Sequence, residues 1–441
     1  PSQAAVVFGN TDASGDGVPT EGFDWGVYAR VQRFQVLQDA SAPILAPYER
    51  TPQVGLRLGG QPWGLRWLVE GEYNRFVHDD PALQRGERLH LLGSLAYPLG
   101  DEGFTVTPRL FFNAARYETE QALADGRRRA ARVIPGGSLD AVWSMERESA
   151  WFGRDVVQTL EPRLYYVHTA YRAQDGLPNF DSAPLDFNAA SVFSDSAFSG
   201  IDRVSDAHQL TAGLTTRFID RANGGEAGRL GIAQRYLFSD QLITADGAPL
   251  TQRFSDVLLA GATSVVPRWH FDSTLQYSAE TSRISRSVSS VRYFPGPYRT
   301  INATYRYQRE ASEQVELAWQ WPLGRPGGWR SPPAAPAGAP ASASNSCGGR
   351  WYSVGRADYN LVERRLAGGF LGFEYDGGCW IGRLVVERQS TSASQATTRI
   401  LWQLELVGLS RLGTNPLRVL KDNIPGYERL RTDAADDGLA R

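Results

Sequence analysis

The feature that most constrains this chain is a hydrophobic period of two, held over runs longer than a soluble sheet uses. From Trp63 to Tyr73 one face would carry Trp63, Leu65, Trp67, Val69, Gly71 and Tyr73, and the other Gly64, Arg66, Leu68, Glu70 and Glu72. Successive side chains of a strand point to opposite faces, so this alternation predicts a strand with one apolar and one polar side. A tilted membrane-spanning strand needs ~9–11 residues, whereas strands of globular proteins cluster near five or six. The pattern returns at Ile301, Ala303, Tyr305 and Tyr307 against Asn302, Thr304, Arg306 and Gln308, and at Phe271, Leu275 and Tyr277 against His270, Asp272, Thr274 and Gln276. Near the end Trp380, Leu384 and Val386 oppose Arg383 and Glu387, and Ile400, Trp402, Leu404 and Leu406 oppose Gln403 and Glu405. No run approaches the ~18 consecutive apolar residues of a membrane-spanning helix, which excludes a helical membrane protein. Arg66, Glu70, Arg306 and Glu387 fall on the polar side and predict a wet interior.

Between Gly22 and Gly408 such segments number roughly 18, so residues 1–408 read as part of a transmembrane antiparallel outer-membrane β-barrel, an all-β fold. Their connections alternate. Gly59 to Pro62, Pro98 to Gly103, Val266-Pro267 and Pro295 to Pro297 are tight, while 38–51, 77–89, 118–135 and above all 169–206 are long. Short periplasmic turns and long surface loops have this asymmetry. By the same parity the turn from Asp376 to Cys379 and the Pro/Ala-rich stretch 322–349 belong to the periplasmic side, the second as a flexible inserted turn. Residues 409–441 form a C-terminal periplasmic tail.

The formal net charge of −2 supplies no basic excess, which argues against nucleic acid as a partner. Lys421 is the only lysine, so arginine carries the positive charge, either for repeated contact with phosphate or carboxylate or from coding bias. Cys347 and Cys379 share a predicted compartment and permit one disulfide; two free thiols are the alternative. Pro1-Ser2-Gln3 opens no export signal, so any signal is expected upstream or already removed.

Chemistry-bearing clusters are sparse. The five histidines lack metal-ligand spacing, and no cofactor is implied. His78-Asp79-Asp80 has the donors for a divalent cation, and Ser205-Asp206-Ala207-His208 holds a nucleophile beside a base, but adjacency in sequence is not how catalytic triads assemble. The chain reads as no enzyme. The informative stretch is the long connection 169–206, with Tyr171-Arg172, Asp175, Phe180-Asp181 and Phe198-Ser199-Gly200-Ile201-Asp202-Arg203-Val204-Ser205-Asp206. A loop so long without regular structure is functional or disordered, and its aromatic content argues for packing inward or over the mouth.

Read together, Leu160 to Tyr166, Tyr171-Arg172, Phe180-Asp181, Phe198 to Ala207 and Gln209 to Arg217 resemble the LptD family of outer-membrane lipopolysaccharide-assembly proteins. Tyr48 to Gln53, Tyr352 to Arg356, Gly372 to Asp376 and Asp422 to Tyr427 extend the resemblance over most of the chain. It implies translocation of lipopolysaccharide to the outer leaflet through a barrel of about 26 strands, in the outer membrane of a Gram-negative bacterium. It also implies an N-terminal periplasmic jellyroll that meets periplasmic bridge proteins, and an LptE-like plug lipoprotein inside the barrel. This chain would then be the C-terminal part of that barrel, in contact with outer-membrane lipid. Its last strand, about Thr398 to Gly408 with Ile400, Trp402, Leu404 and Leu406, would be one side of a lateral gate. Where the family often has two adjacent cysteines, this chain has Gly378-Cys379; Cys379 then pairs either with an upstream cysteine or with Cys347. A structural or adhesive surface barrel and a diffusion porin are the alternative readings.

Overall fold

A computed structural model describes residues 2–9, 22–34, 45–324, 349–390 and 396–431. It divides into two compact units, Pro1–Ala260 with Gln276–Arg283, and Gly261–Leu275 with Ile284–Arg441. The described residues form 22 strand segments, one helix and one short 3-10 turn.

In the first unit the strands are β1 (Ser2–Gly9), β2 (Phe23–Arg33), β3 (Glu49–Gly60), β4 (Arg66–Val77), β5 (Gly86–Ala96), β6 (Leu99–Gly100) and β7 (Phe104–Thr119). They continue as β8 (Arg129–Trp143), β9 (Met145–Trp151), β10 (Arg154–Thr169), β11 (Ala207–Asp220) and β12 (Glu226–Leu237). Each long strand pairs antiparallel with the next, β5 with β7 and β8 with β10 included. β6 runs on beside β7 where β5 has ended, and β9 continues β8 along β10. The hairpin between β9 and β10 is Phe152-Gly153, with φ of 48° and 76°. A two-residue hairpin requires such left-handed values, which glycine adopts without strain.

Segments β13 (Val257–Thr263) and β14 (Trp269–Ser278) are divided between the units. The second unit holds β15 (Arg283–Gly296), β16 (Arg299–Gln308), β17 (Ser312–Leu323), β18 (Arg350–Asn360), β19 (Arg365–Asp376), β20 (Trp380–Ser390), β21 (Ala396–Leu406) and β22 (Ser410–Gly413). These too pair in chain order, all antiparallel. A helix α1 (Pro416–Asn423) follows.

Both units have the same two-faced sheet. In the first, Leu91, Ala114 and Val133 lie in register on one face, where Leu89, Leu110, Leu139, Leu214, Leu230 and Ile232 are also exposed. On the other face Glu72, His90, Ala115 and Arg132 are in register and buried. In the second unit Trp402, Leu384 and Phe373 share an exposed row, and Gln403, Arg383 and Glu374 a buried one. The sheet is therefore inverted relative to a water-soluble fold: charges are covered and leucines are bare, an apolar area that requires a non-aqueous neighbour.

Three boundaries differ from the sequence reading. The run from Trp63 is strand only from Arg66, because Pro62–Gly64 forms a 3-10 turn with Trp63 at φ 51° and 93% exposed. Proline lacks the N–H that would continue the ladder, and the turn ends the pairing there. The strand carrying Ile400, Trp402, Leu404 and Leu406 is not the last, since β22, which begins past the residue-408 boundary, pairs with Gln403–Leu406. The long connection runs from 170 to 206, as β10 reaches Thr169 and β11 starts at Ala207.

Candidate functional site

The first unit buries its polar face under the connection 170–206. Arg88, on β5, is the anchor. Its Nη1 donates to Asp202 Oδ1 at 2.8 Å and its Nη2 to Asp181 Oδ2 at 2.8 Å. Asp202 also accepts from the Tyr117 hydroxyl at 2.9 Å and from the backbone N–H groups of Phe180 and Asp181 at 2.7 and 3.1 Å. The two carboxylates thus fold their own loop around a strand arginine. Phe180 completes the seat by stacking on Phe76 with ring centroids 4.4 Å apart, and the Arg88 guanidinium lies 4.9 Å from the same Phe76 ring.

Asp181 and Asp202 respond oppositely to this setting. Burial disfavours charge on both. For Asp181 it is outweighed by the hydrogen bond and charge of Arg88, by the Ile201 N–H and by Arg50, and the carboxyl is held well below the usual range. For Asp202, with Asp181 beside it, burial wins and the carboxyl is pushed up. One acid of the pair keeps its charge while the other resists it, as expected of two carboxylates sharing one arginine.

Further contacts fasten the rest of the loop. The Arg203 Nη2 donates to the Leu177 carbonyl at 2.8 Å, and the Gln174 side chain exchanges hydrogen bonds with the Val204 backbone at 2.7 and 3.1 Å. Arg109 donates to Asp195 at 2.5 Å, and the Tyr165 hydroxyl donates to the other oxygen of that carboxylate. Phe193 packs under Arg163, 4.3 Å from ring centroid to guanidinium, and Arg163 grips Asp140 with two bonds of 2.8 and 2.7 Å. Between loop and sheet lies a cavity of about 390 Å³ whose polar lining is Glu161, Arg163, Thr215 and Arg217. Asp206 accepts the N–H groups of Leu242 and Ile243 at 3.0 and 2.8 Å, tying the connection 238–256 to the end of the loop.

Of the loop residues singled out by sequence, Phe180, Asp181, Asp202 and Arg203 come together and Phe198 is buried nearby, its backbone bridged to Pro184. Tyr171, Arg172 and Asp175 instead stay exposed. Glu70 pairs with Arg57 at 3.2 Å, Arg306 with Glu316 at 2.7 Å and Glu387 with Arg399 at 2.7 Å, while Arg66 is half-buried. Ile400, Trp402 and Leu406 are exposed and Leu404 half-buried. Cys379 is exposed, and Cys347 lies outside the described residues, as does most of 322–349. The Ser205 hydroxyl accepts the Ala197 N–H at 2.9 Å, while His208 packs on Phe238. His78 is engaged by backbone, with Nδ1 accepting from Asp80 N at 2.9 Å and Nε2 at 3.0 Å from the Ala46 carbonyl.

The second unit has a site of its own, on strands the sequence marked as polar but did not connect. Arg383 Nε donates to Glu374 Oε1 at 2.9 Å and its Nη1 to Glu405 Oε2 at 2.5 Å, with Arg383 and Glu374 fully buried. The segment after α1 lies across this face. Tyr427 donates its hydroxyl to Glu374 Oε1 at 2.7 Å and Arg429 donates to Glu405 Oε1 at 2.6 Å. Burial and the neighbouring Glu374 charge raise the Tyr427 hydroxyl well above its ordinary range.

A family model described as LPS transport system D, LptD, matches residues 12–327. The chain belongs to the LptD family. It is 45% identical over 408 residues to the LPS-assembly protein LptD of Albidiferax ferrireducens, covering 91% of this chain and 50% of that protein. To the protein of the same name from Ralstonia nicotianae it is 36% identical over 420 residues, covering 92% of this chain and 49% of the relative. The chain therefore spans about half the length of these LptD relatives. Among solved structures, a ferric enterobactin receptor mutant of Pseudomonas aeruginosa aligns with 91% of this chain and 69% of its own at 9% identity and a TM-score of 0.37; nothing is argued from so loose a likeness.

Proposed function

We propose that this chain is the C-terminal part of a lipopolysaccharide translocon in the outer membrane of a Gram-negative bacterium. The observation that carries the proposal is the inverted sheet in a member of the LptD family: exposed leucines on one face, buried ionic clusters on the other. The bare face meets membrane lipid, where apolar area needs no cover, and the polar face lines the path of a phosphorylated sugar. In this reading the described strands belong to a closed barrel of about 26, completed by strands outside this chain, since open sheet edges in hydrocarbon leave N–H and C=O groups unpaired. Arg66, Glu70, Arg306 and Glu387 hydrate the interior, the connection 170–206 restricts the opening, and the part of β21 before its pairing with β22 at Gln403 borders the exit to the bilayer. Partners are an LptE-like plug lipoprotein inside the barrel and periplasmic lipopolysaccharide-bridge proteins at a domain outside this chain. The chemistry is transport and not catalysis.

Depletion of the full-length protein in a conditional strain tests the reading. Lipopolysaccharide is expected to disappear from the cell surface and to accumulate in the periplasm. Ordinary surface lipopolysaccharide after depletion overturns it, and is the result expected of a porin or an adhesive barrel.

A further inference from the structure

We propose that Tyr427 and Arg429 are positioning residues for β21: two side chains of the C-terminal segment that clasp an acid–arginine–acid relay across β19, β20 and β21. The inference deepens the transport reading and rests on it, because it concerns the strand placed at the lipid exit.

The relay is Glu374, Arg383 and Glu405, one from each strand. Arg383 uses one edge on each acid, which leaves the second oxygen of Glu405 to other donors and Glu374 open to a further one. The tail supplies a donor to each; at Glu405 it joins the half-exposed Arg411 of β22, whose Nε lies 3.3 Å from the same oxygen. Residues two apart in an extended segment project to the same side, so Tyr427 and Arg429 reach down together, one to either end of the relay. Without the tail, two buried carboxylates would share the one buried arginine; Arg429, whose side chain is 7% exposed, brings the second buried positive charge. A buried carboxylate stripped of its cation is costly, so relay and tail hold each other in place.

The tail has further anchors besides the relay, one of which, Gln320, also lies 3.5 Å from Glu374. Gln320 of β17 exchanges two hydrogen bonds with the Glu428 backbone, both 2.9 Å, and Asn302 of β16 donates to the Pro425 carbonyl at 2.8 Å. Leu420 and Ile424 sink into a cluster with Ala318, Val354, Phe370 and Val385. A segment anchored on β16 to β20 therefore reaches over to hold β21. The hold covers one half of β21. It grips Glu405 and packs on Leu401, whereas toward the other end the ion pair is Arg399 with Glu387, and that arginine side chain is 58% exposed. Parting of β21 from a neighbour would start at its Ala396 end and stop at the clasp, which sets both the direction and the extent of opening.

The test uses the full-length protein, purified from outer membranes in detergent for hydrogen exchange and assayed in cells for surface lipopolysaccharide. Arg429→Glu is expected to speed exchange in β21 by roughly tenfold, the scale of one charge-assisted bond, with β18 unchanged. Surface lipopolysaccharide should fall, whereas the conservative Arg429→Lys, which keeps a charged donor to Glu405, should leave both close to the parent. Should Arg429→Glu fail to assemble, Tyr427→Phe carries the test with an expected increase of roughly threefold. Unchanged exchange in β21, or equal acceleration in β16 to β18, overturns the clasp. Faster exchange with normal surface lipopolysaccharide overturns the positioning role, whereas the depletion experiment alone bears on the transport reading.

Discussion

Two buried arginines sit on the polar faces of the two units, and their acids come from opposite sources. Arg88 takes its two hydrogen-bonded carboxylates from a connection, Asp181 and Asp202, which lie 93 and 114 residues along the chain, with Glu72 of the adjacent strand farther off at 3.9 Å. Arg383 takes its carboxylates from the strands beside it, Glu374 and Glu405, 9 and 22 residues away. In the first unit a strand charge holds a loop. In the second, strand charges hold one another and a tail is added at both ends. The same ionic chemistry therefore seats a cover in one place and fixes strand register in the other.

The comparison is broken most strongly at Arg88. Arg88→Ala removes the buried cation shared by Asp181 and Asp202 and leaves only the more exposed Arg50, 3.5 Å from Asp181, at a cost of about 3–5 kcal/mol. Residues 177–204 should become open to limited proteolysis while β5 and β7 stay protected; loss of strand protection together with the loop would mean that Arg88 organises the sheet and not its cover. Arg383→Ala should cost less, about 2–3 kcal/mol, because Tyr427 still donates to Glu374 and Arg429 to Glu405. Its expected mark is faster hydrogen exchange in β19 to β21 with the connection 170–206 undisturbed. A release of that connection would erase the distinction between the two sites. The smallest effect is expected at Gly200, whose φ of +73° and position against the Asp181 carbonyl, 2.3 Å from where a Cβ would lie, leave no room for a side chain. Gly200→Ala should destabilise the Asp181–Asp202 turn by about 1–3 kcal/mol, seen as proteolysis confined to 177–204. A variant as resistant as the parent would show that the turn is not what presents the two acids.

Much of this was legible from residue order. The alternation placed Arg66, Glu70 and Glu72 on one face and Trp67, Val69 and Tyr73 on the other, because a strand has a period of two wherever it lies. It misread Trp63 to Leu65, since a proline turn can carry the same alternation without pairing. Loop chemistry was half visible. Phe180, Asp181, Asp202 and Arg203 stood out as a cluster of acids and aromatics in a segment too apolar for disorder, whereas Tyr171, Arg172 and Asp175 had the same look and remain in solvent. Arg88 gave no signal, being one charge among many on a polar face.

What the sequence by itself determined is the two-faced strand, its length and the all-β fold, since each follows from local spacing and residue type. Only the tertiary structure decided which charges meet. The partners of Arg88 lie far along the chain, and those of Glu374 and Glu405 include Tyr427 and Arg429 from beyond the last long strand. Ion pairing depends on distance in space, and buried charges find stable places only where the folded chain brings their counter-charges.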